Sequence, residues 1–142
     1  MKFNEYKGLD LVSTGNEVLE RWKKNHAFEK SLELREGAPE FIFFEGPPSA
    51  NGMPGIHHVM ARSIKEAICR YKTPSGYKVN RRAGWDTHGL PVELGVEKML
   101  GITKEDIGTK ISVEEYNDAC RKEVMKYTAE WVNMTERVGY WV

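Results

Sequence analysis

No stretch of 18 consecutive apolar residues occurs in this 142-residue sequence, and Met1 to Asp10 holds no basic run leading into an apolar one. A membrane-spanning helix and a secretory leader are therefore not expected, and the default location is the cytoplasm. Charge of one sign is also missing, because 21 basic residues balance 21 acidic ones. Without a net field nothing draws the whole chain to nucleic acid or an anionic membrane, so any RNA contact must be local. Cysteine is scarce: Cys69 and Cys120 lack a CxxC spacing and lie in helical-looking segments with apolar neighbours. Buried free thiols fit that pattern better than a disulfide or a zinc pair. Internal repeats, low-complexity tracts and linkers are absent as well. What remains is 40% apolar and 30% charged, the balance of a folded globular protein with one core.

The first forty residues read as a lead-in. Val18, Leu19 and Trp22 recur at one-turn spacing and predict a helix around Glu17 to Asn25, followed by a second around Phe28 to Arg35. Gly37 and Pro39 break the pattern. Phe41 to Phe44 is a continuous apolar run that ends at Gly46, Pro47 and Pro48, the signature of a strand buried on both faces of a parallel sheet. A loop from Ser49 to Gly55 leads into a predicted helix over Ile56 to Tyr71, with Val59, Ile64, Ala67, Ile68 and Tyr71 as its apolar stripe. After the turn at Pro74 to Gly76, alternation of Tyr77, Val79 and Arg81 predicts a second strand parallel to the first. Strand, loop, helix and strand make a βαβ opening, and the fold class expected is α/β. Pro91 starts a short helix that runs to about Leu100 and stops at Gly101. Ser112 and Glu115 then form a capping box, and apolar residues from Val113 to Val138 at three- and four-residue spacing predict one long terminal helix.

In an open parallel sheet, ligands bind beyond the carboxyl ends of the strands, which is where the two unusual loops fall. The first, Glu45 to His58, combines stiffening prolines, glycines that allow close backbone approach, and two imidazoles at a helix start. Unpaired N–H groups and the positive dipole end there favour an anionic phosphate, to which His58 could donate. The alternative is that one histidine caps the helix while the other packs or faces water. The second loop, Gly84 to Glu93, sets Asp86, Thr87 and His88 side by side. Asp86 could hold a substrate ammonium with Trp85 packed beneath the site, or could simply cap the next helix. His57, His58 and His88 are metal ligands by residue type, but their spacing does not select a metal, and no metal site is expected.

Together, Glu-Gly-Pro-Pro-Ser-Ala-Asn-Gly opening a helix and Gly-Trp-Asp-Thr-His-Gly-Leu-Pro-Val-Glu some thirty residues later resemble the catalytic domain of class I aminoacyl-tRNA synthetases for branched aliphatic amino acids. The aromatic run before Glu45 and the stretch Lys98 to Gly108 are most similar to the isoleucyl members. The resemblance implies the first half of a Rossmann-like parallel nucleotide-binding fold, with lead-in helices over residues 1–39 and the catalytic domain over 40–142. It implies activation of isoleucine with ATP and Mg2+ to an aminoacyl adenylate, then transfer to tRNA(Ile), by an enzyme that is monomeric when complete. Carried over by position, Gly46, Pro47 and Asp86 belong to the amino-acid pocket. Asn51, Gly52, Gly55, His57 and His58 belong to the ATP site, with His58 in the catalytic role. The chemistry needs no protein nucleophile, only orientation of the attacking carboxylate and stabilisation of phosphate charge.

The family signature His-x-Gly-His is altered here to Gly55-Ile56-His57-His58. His57 stands where a glycine lets the nucleotide lie against the backbone, so it is expected to point aside or to displace the adenine. A Lys-Met-Ser-Lys-Ser loop, an editing insertion, an anticodon-binding domain and a zinc-binding cysteine cluster do not occur in this sequence. The expectation is therefore an N-terminal catalytic fragment with little activity alone. The alternatives are a piece of a valyl or leucyl enzyme, a non-catalytic ATP- or amino-acid-binding module, or an incompletely folding partial product.

Overall fold

A computed structural model describes residues 8–142. Six helices follow one another: α1 (Leu11–Asn25), α2 (Ala27–Glu33), α3 (Ile56–Lys72), α4 (Leu90–Leu100), α5 (Val113–Val124) and α6 (Thr128–Arg137), with a 3₁₀ turn at Lys104–Asp106. Helix α1 begins well before the predicted Glu17, because Asp10 accepts hydrogen bonds from the amides of Val12 and Ser13 and caps it. Its first turn is exposed, so no apolar stripe announces it there. His26, at φ 49°, turns the chain from α1 into α2.

The two predicted strands are extended segments, and among the described residues they pair only at isolated bridges. Glu40 with Lys78 and Ser49 with Asp86 are both parallel, so the expected sense of the pairing holds. A ladder does not form between them. The bridges are separated by nine residues on one segment and eight on the other, a one-residue slip, and Pro47 and Pro48 have no N–H to give. Burial of the Phe41 to Phe44 run on both faces is also overturned. Phe44 is 91% and Ile42 69% exposed, because no described element covers them. The alternation in the second segment is correct, with Val79 and Arg81 buried and Asn80 exposed.

Helix α3 matches its predicted span, yet its stripe faces the other way. Ile64, Ile68 and Tyr71 are exposed, whereas Arg62, Glu66 and Cys69 are buried. Charge decides this face. Glu66 pairs with both Arg70 and Arg81, and the C-terminal segment closes over the group. Arg70 donates to the Gly139 carbonyl at 2.9 Å, the Trp141 amide donates to Glu66 at 3.3 Å, and the Arg70 guanidinium lies 3.5 Å from the centre of the Trp141 ring. Trp22 of α1 and Phe28 of α2 flank the same indole, which docks the lead-in helices.

Val92 and Val96 of α4 pack with Tyr116 and Val124 of α5 into a second apolar cluster. Gly101, at φ +65°, ends α4 as expected. Ser112 accepts from the Glu115 amide at 3.1 Å while the Glu115 carboxylate accepts from the Ser112 amide, completing the predicted capping box. The single long terminal helix is a correction: it is broken at Met125 to Tyr127 into α5 and α6. The apolar period survives the break, so the pattern could not reveal it. Cys69 is buried, Cys120 is half-buried, and both are free thiols.

Candidate functional site

The two loops meet. The Asp86 amide donates to the Pro48 carbonyl at 2.9 Å, and the Asn51 side-chain amide donates to the Pro91 carbonyl at 3.1 Å. Gly84 lies against Pro47, so that a β-carbon there would stand 3.9 Å from the proline Cβ. Helix α6 holds the first loop from beneath. The Tyr127 amide donates to the carbonyl of fully buried Ala50 at 3.0 Å, and the Trp131 indole N–H donates to the Gly52 carbonyl at 2.8 Å. Since the Tyr127 amide is released by the helix break, the break itself serves the loop.

His58 sits in the first turn of α3, and its Nδ1 accepts from the Gly55 amide at 2.9 Å. The capping reading therefore applies to His58, whose imidazole accepts through Nδ1 and keeps Nε2 for another partner. An accepting Nδ1 in a neutral ring leaves the proton on Nε2, so that atom is a donor. Burial holds the His58 pKa below its ordinary value, and the nearby charges of His57, Arg62 and Lys65 push it the same way. The ring lies 4.5 Å from Trp131 and 3.8 Å from His57, centre to centre.

His57 folds back over Gly55. A β-carbon on Gly55 would meet its Cε1 at 2.9 Å, so the space that this glycine opens is already filled by the imidazole. No side chain of the N-cap residue Gly55 satisfies the first amides of α3, and a helix start in that condition attracts anions.

Asp86 does not cap α4, whose N-cap is Gly89 without a side-chain bond. Its carboxylate is half-exposed, accepts a long 3.4 Å contact from the His88 amide and has the His88 Nδ1 at 3.9 Å, leaving most of its acceptor capacity open. The Asn51 amide nitrogen gives one of its two N–H groups to Pro91, leaving the other N–H and the carbonyl oxygen for a ligand. Gly46, Gly52 and Pro47 are exposed at the loop surface. Trp85, in the second loop, packs edge-on to Trp131 at 6.3 Å.

Sequence reasoning missed Trp131 as a site residue. It touches both loops, yet in the sequence it is one aromatic in a helical stripe, with nothing to separate it from a core residue. Tyr140 was missed in the same way. Its hydroxyl donates to Glu45 at 3.2 Å, and burial, reinforced by the Glu45 charge, pushes its pKa up to about 12.

The profile described as tRNA synthetases class I (I, L, M and V) matches residues 17–142. An isoleucine–tRNA ligase of Porphyromonas gingivalis is 68% identical over 141 residues, which is 99% of this chain and 12% of that protein. Isoleucine–tRNA ligases of Bacteroides thetaiotaomicron, at 66% over the same share of each chain, and of Cytophaga hutchinsonii, at 61% over 100% of this chain and 13% of that one, are similar too. The chain thus spans about an eighth of the length of these relatives.

Proposed function

The chain belongs to the class I tRNA synthetase family, and from that premise we propose that it is the amino-terminal catalytic segment of an isoleucine–tRNA ligase. In this reading the whole enzyme activates isoleucine with ATP in the cytoplasm, transfers it to tRNA(Ile), and works as a monomer. Residues 40–142 supply the first part of its Rossmann-like domain, with residues 1–39 as a helical lead-in. The two parallel bridges then mark the first two strands of its sheet.

One observation carries the reading: two loops of the family's kind are bonded to each other through Asn51 and Asp86, beside an imidazole whose Nδ1 is taken by Gly55 and whose Nε2 has no partner among the described residues. Gly46, Pro47 and Asp86 form the amino-acid wall, where the open carboxylate of Asp86 suits an α-ammonium. Asn51, Gly52, Gly55, His57 and His58 form one side of the ATP site, where the His58 Nε2–H and the start of α3 stabilise charge on a phosphate. Among the described residues no three His, Cys, Asp or Glu side chains converge. In this reading Mg2+ arrives on the ATP phosphates, held largely by them and by water.

A chimera tests this. Residues 1–142 replace the matching segment of the Porphyromonas gingivalis relative, and pyrophosphate exchange is measured with isoleucine, valine and leucine. Exchange dependent on isoleucine, and lost in the Asp86→Ala chimera, is the expected result. A preference for valine or leucine would move the chain to another member of the family. No exchange with ATP binding intact would favour a binding module.

A further inference from the structure

Arg62 projects from α3 one turn beyond His58 and is 6% exposed. Its guanidinium lies 5.5 Å from the centre of the Trp131 ring and 5.6 Å from that of Tyr140. Contact with two aromatic faces favours the cation but satisfies none of its five N–H donors. Two neighbouring arginines, half-buried Arg70 and buried Arg81, share Glu66. Arg62 forms no ion pair or hydrogen bond among the described residues. The carboxylate beside it, Glu45, is already engaged by Lys65 and by the Tyr140 hydroxyl.

A buried guanidinium left in that condition is costly unless something accepts from it. Nε and Nη2 of Arg81 are sealed away without partners, whereas no nitrogen of Arg62 is sealed. The opening is a cavity of about 280 Å³, lined by Arg62, Arg82, Glu45, Pro47, Pro48 and Tyr140 among others. Of the residues carried over to ATP none lines it, and of those carried over to the amino acid only Pro47 does. The charge of Glu45 is met by Lys65, and Arg62 and Arg82 add two cations to the lining.

We infer that this cavity is an oxyanion site, in which Arg62 holds a carboxylate or phosphoryl oxygen and Arg82 adds a second cation at the rim. The guanidinium carries an N–H fork that matches two oxygens of one anionic group. Pro47, Pro48 and Tyr140 contact the rest of the ligand. The assignment does not depend on adenylate chemistry, so it can fail while the proposed function stands, and the reverse.

Titration of the chain with acetate, isovalerate and inorganic phosphate, at fixed ionic strength and followed by calorimetry, separates the sources of the anion. Saturable binding of at least one is expected. The carboxylates against phosphate decide which group the site takes. Arg62→Gln is expected to weaken binding about tenfold or more, as the loss of a charge-assisted bond implies. Arg62→Lys keeps the charge without the fork and is expected to recover part of it. Arg82→Gln, at an exposed position, gives a smaller loss and keeps the test usable should Arg62→Gln fail to fold by circular dichroism. No saturable binding of any of the three anions, or binding indifferent to both arginines, would overturn the site.

Discussion

Trp131 donates its indole N–H to the Gly52 carbonyl at 2.8 Å across 79 residues of sequence, and the same ring packs against His58. One side chain thereby fixes both the floor of the first loop and the face of the imidazole. Trp131→Phe keeps most of the packing and removes the hydrogen bond, which is expected to cost about 1 to 2 kcal/mol. Trp131→Ala also opens a cavity and is expected to cost about 3 to 5 kcal/mol. Denaturant unfolding of the two variants separates the contributions.

Glu66 is the common acceptor for Arg70 and Arg81 and for the Trp141 amide. The Arg81 side chain is 3% exposed and without Glu66 would keep only the Trp141 carbonyl, at 3.2 Å, as an acceptor. Glu66→Ala is expected to lose about 3 to 5 kcal/mol of stability, measured by the same unfolding. A loss under 1 kcal/mol would mean that Arg81 finds another partner or water.

His58 has a folded pKa below its ordinary 6.5. Between the folded and unfolded values the unfolded chain binds more protons, so stability rises with pH in that window. The contribution is complete above 6.5 and is lost as pH falls through the folded pKa. His58→Asn retains an acceptor for the Gly55 amide but does not titrate there. The stability difference between the native chain and this variant is expected to move against the native chain as pH drops below 6.5. A native-state proton NMR titration of His58 should give a midpoint below 6.5.

Gly55 has φ −100°, a conformation open to any residue. Gly55→Ala therefore strains no backbone and only pushes aside the His57 ring, a surface side chain. The expected stability change is under about 1 kcal/mol. The His57 and His58 ring resonances, by contrast, should both shift as their 3.8 Å packing is broken.

Local chemistry was readable in the sequence, and long-range pairing was not. The capping box at Ser112, the stop at Gly101 and the span of α3 depend on residues within one turn of each other, and all stand as expected. The face of α3 was misread because apolar period alone was used, while Glu66 and its two arginines, 15 residues apart at the widest, set the buried side. The break before α6 was invisible because its driving contact, Tyr127 to Ala50, joins segments far apart in sequence. At the site, the two motif loops identified each other by resemblance. Trp131 and Arg62 had no such signal, since an aromatic and a basic residue on helices are ordinary in any sequence.

The interruption at Met125 to Tyr127 has a mechanical side. A helix continuing through it would spend the Tyr127 amide on Glu123, four residues back, and the loop at Ala50 would hang on its neighbours alone. Diverted to Ala50, that amide and the Trp131 indole one turn later grip the loop at two carbonyls, Ala50 and Gly52, two residues apart. Two anchors on one rigid rod remove the swing that a single anchor would allow. Rotation or sliding of α6 then pulls on the first loop at both carbonyls and, through the Asp86–Pro48 and Asn51–Pro91 bonds, on the second loop as well.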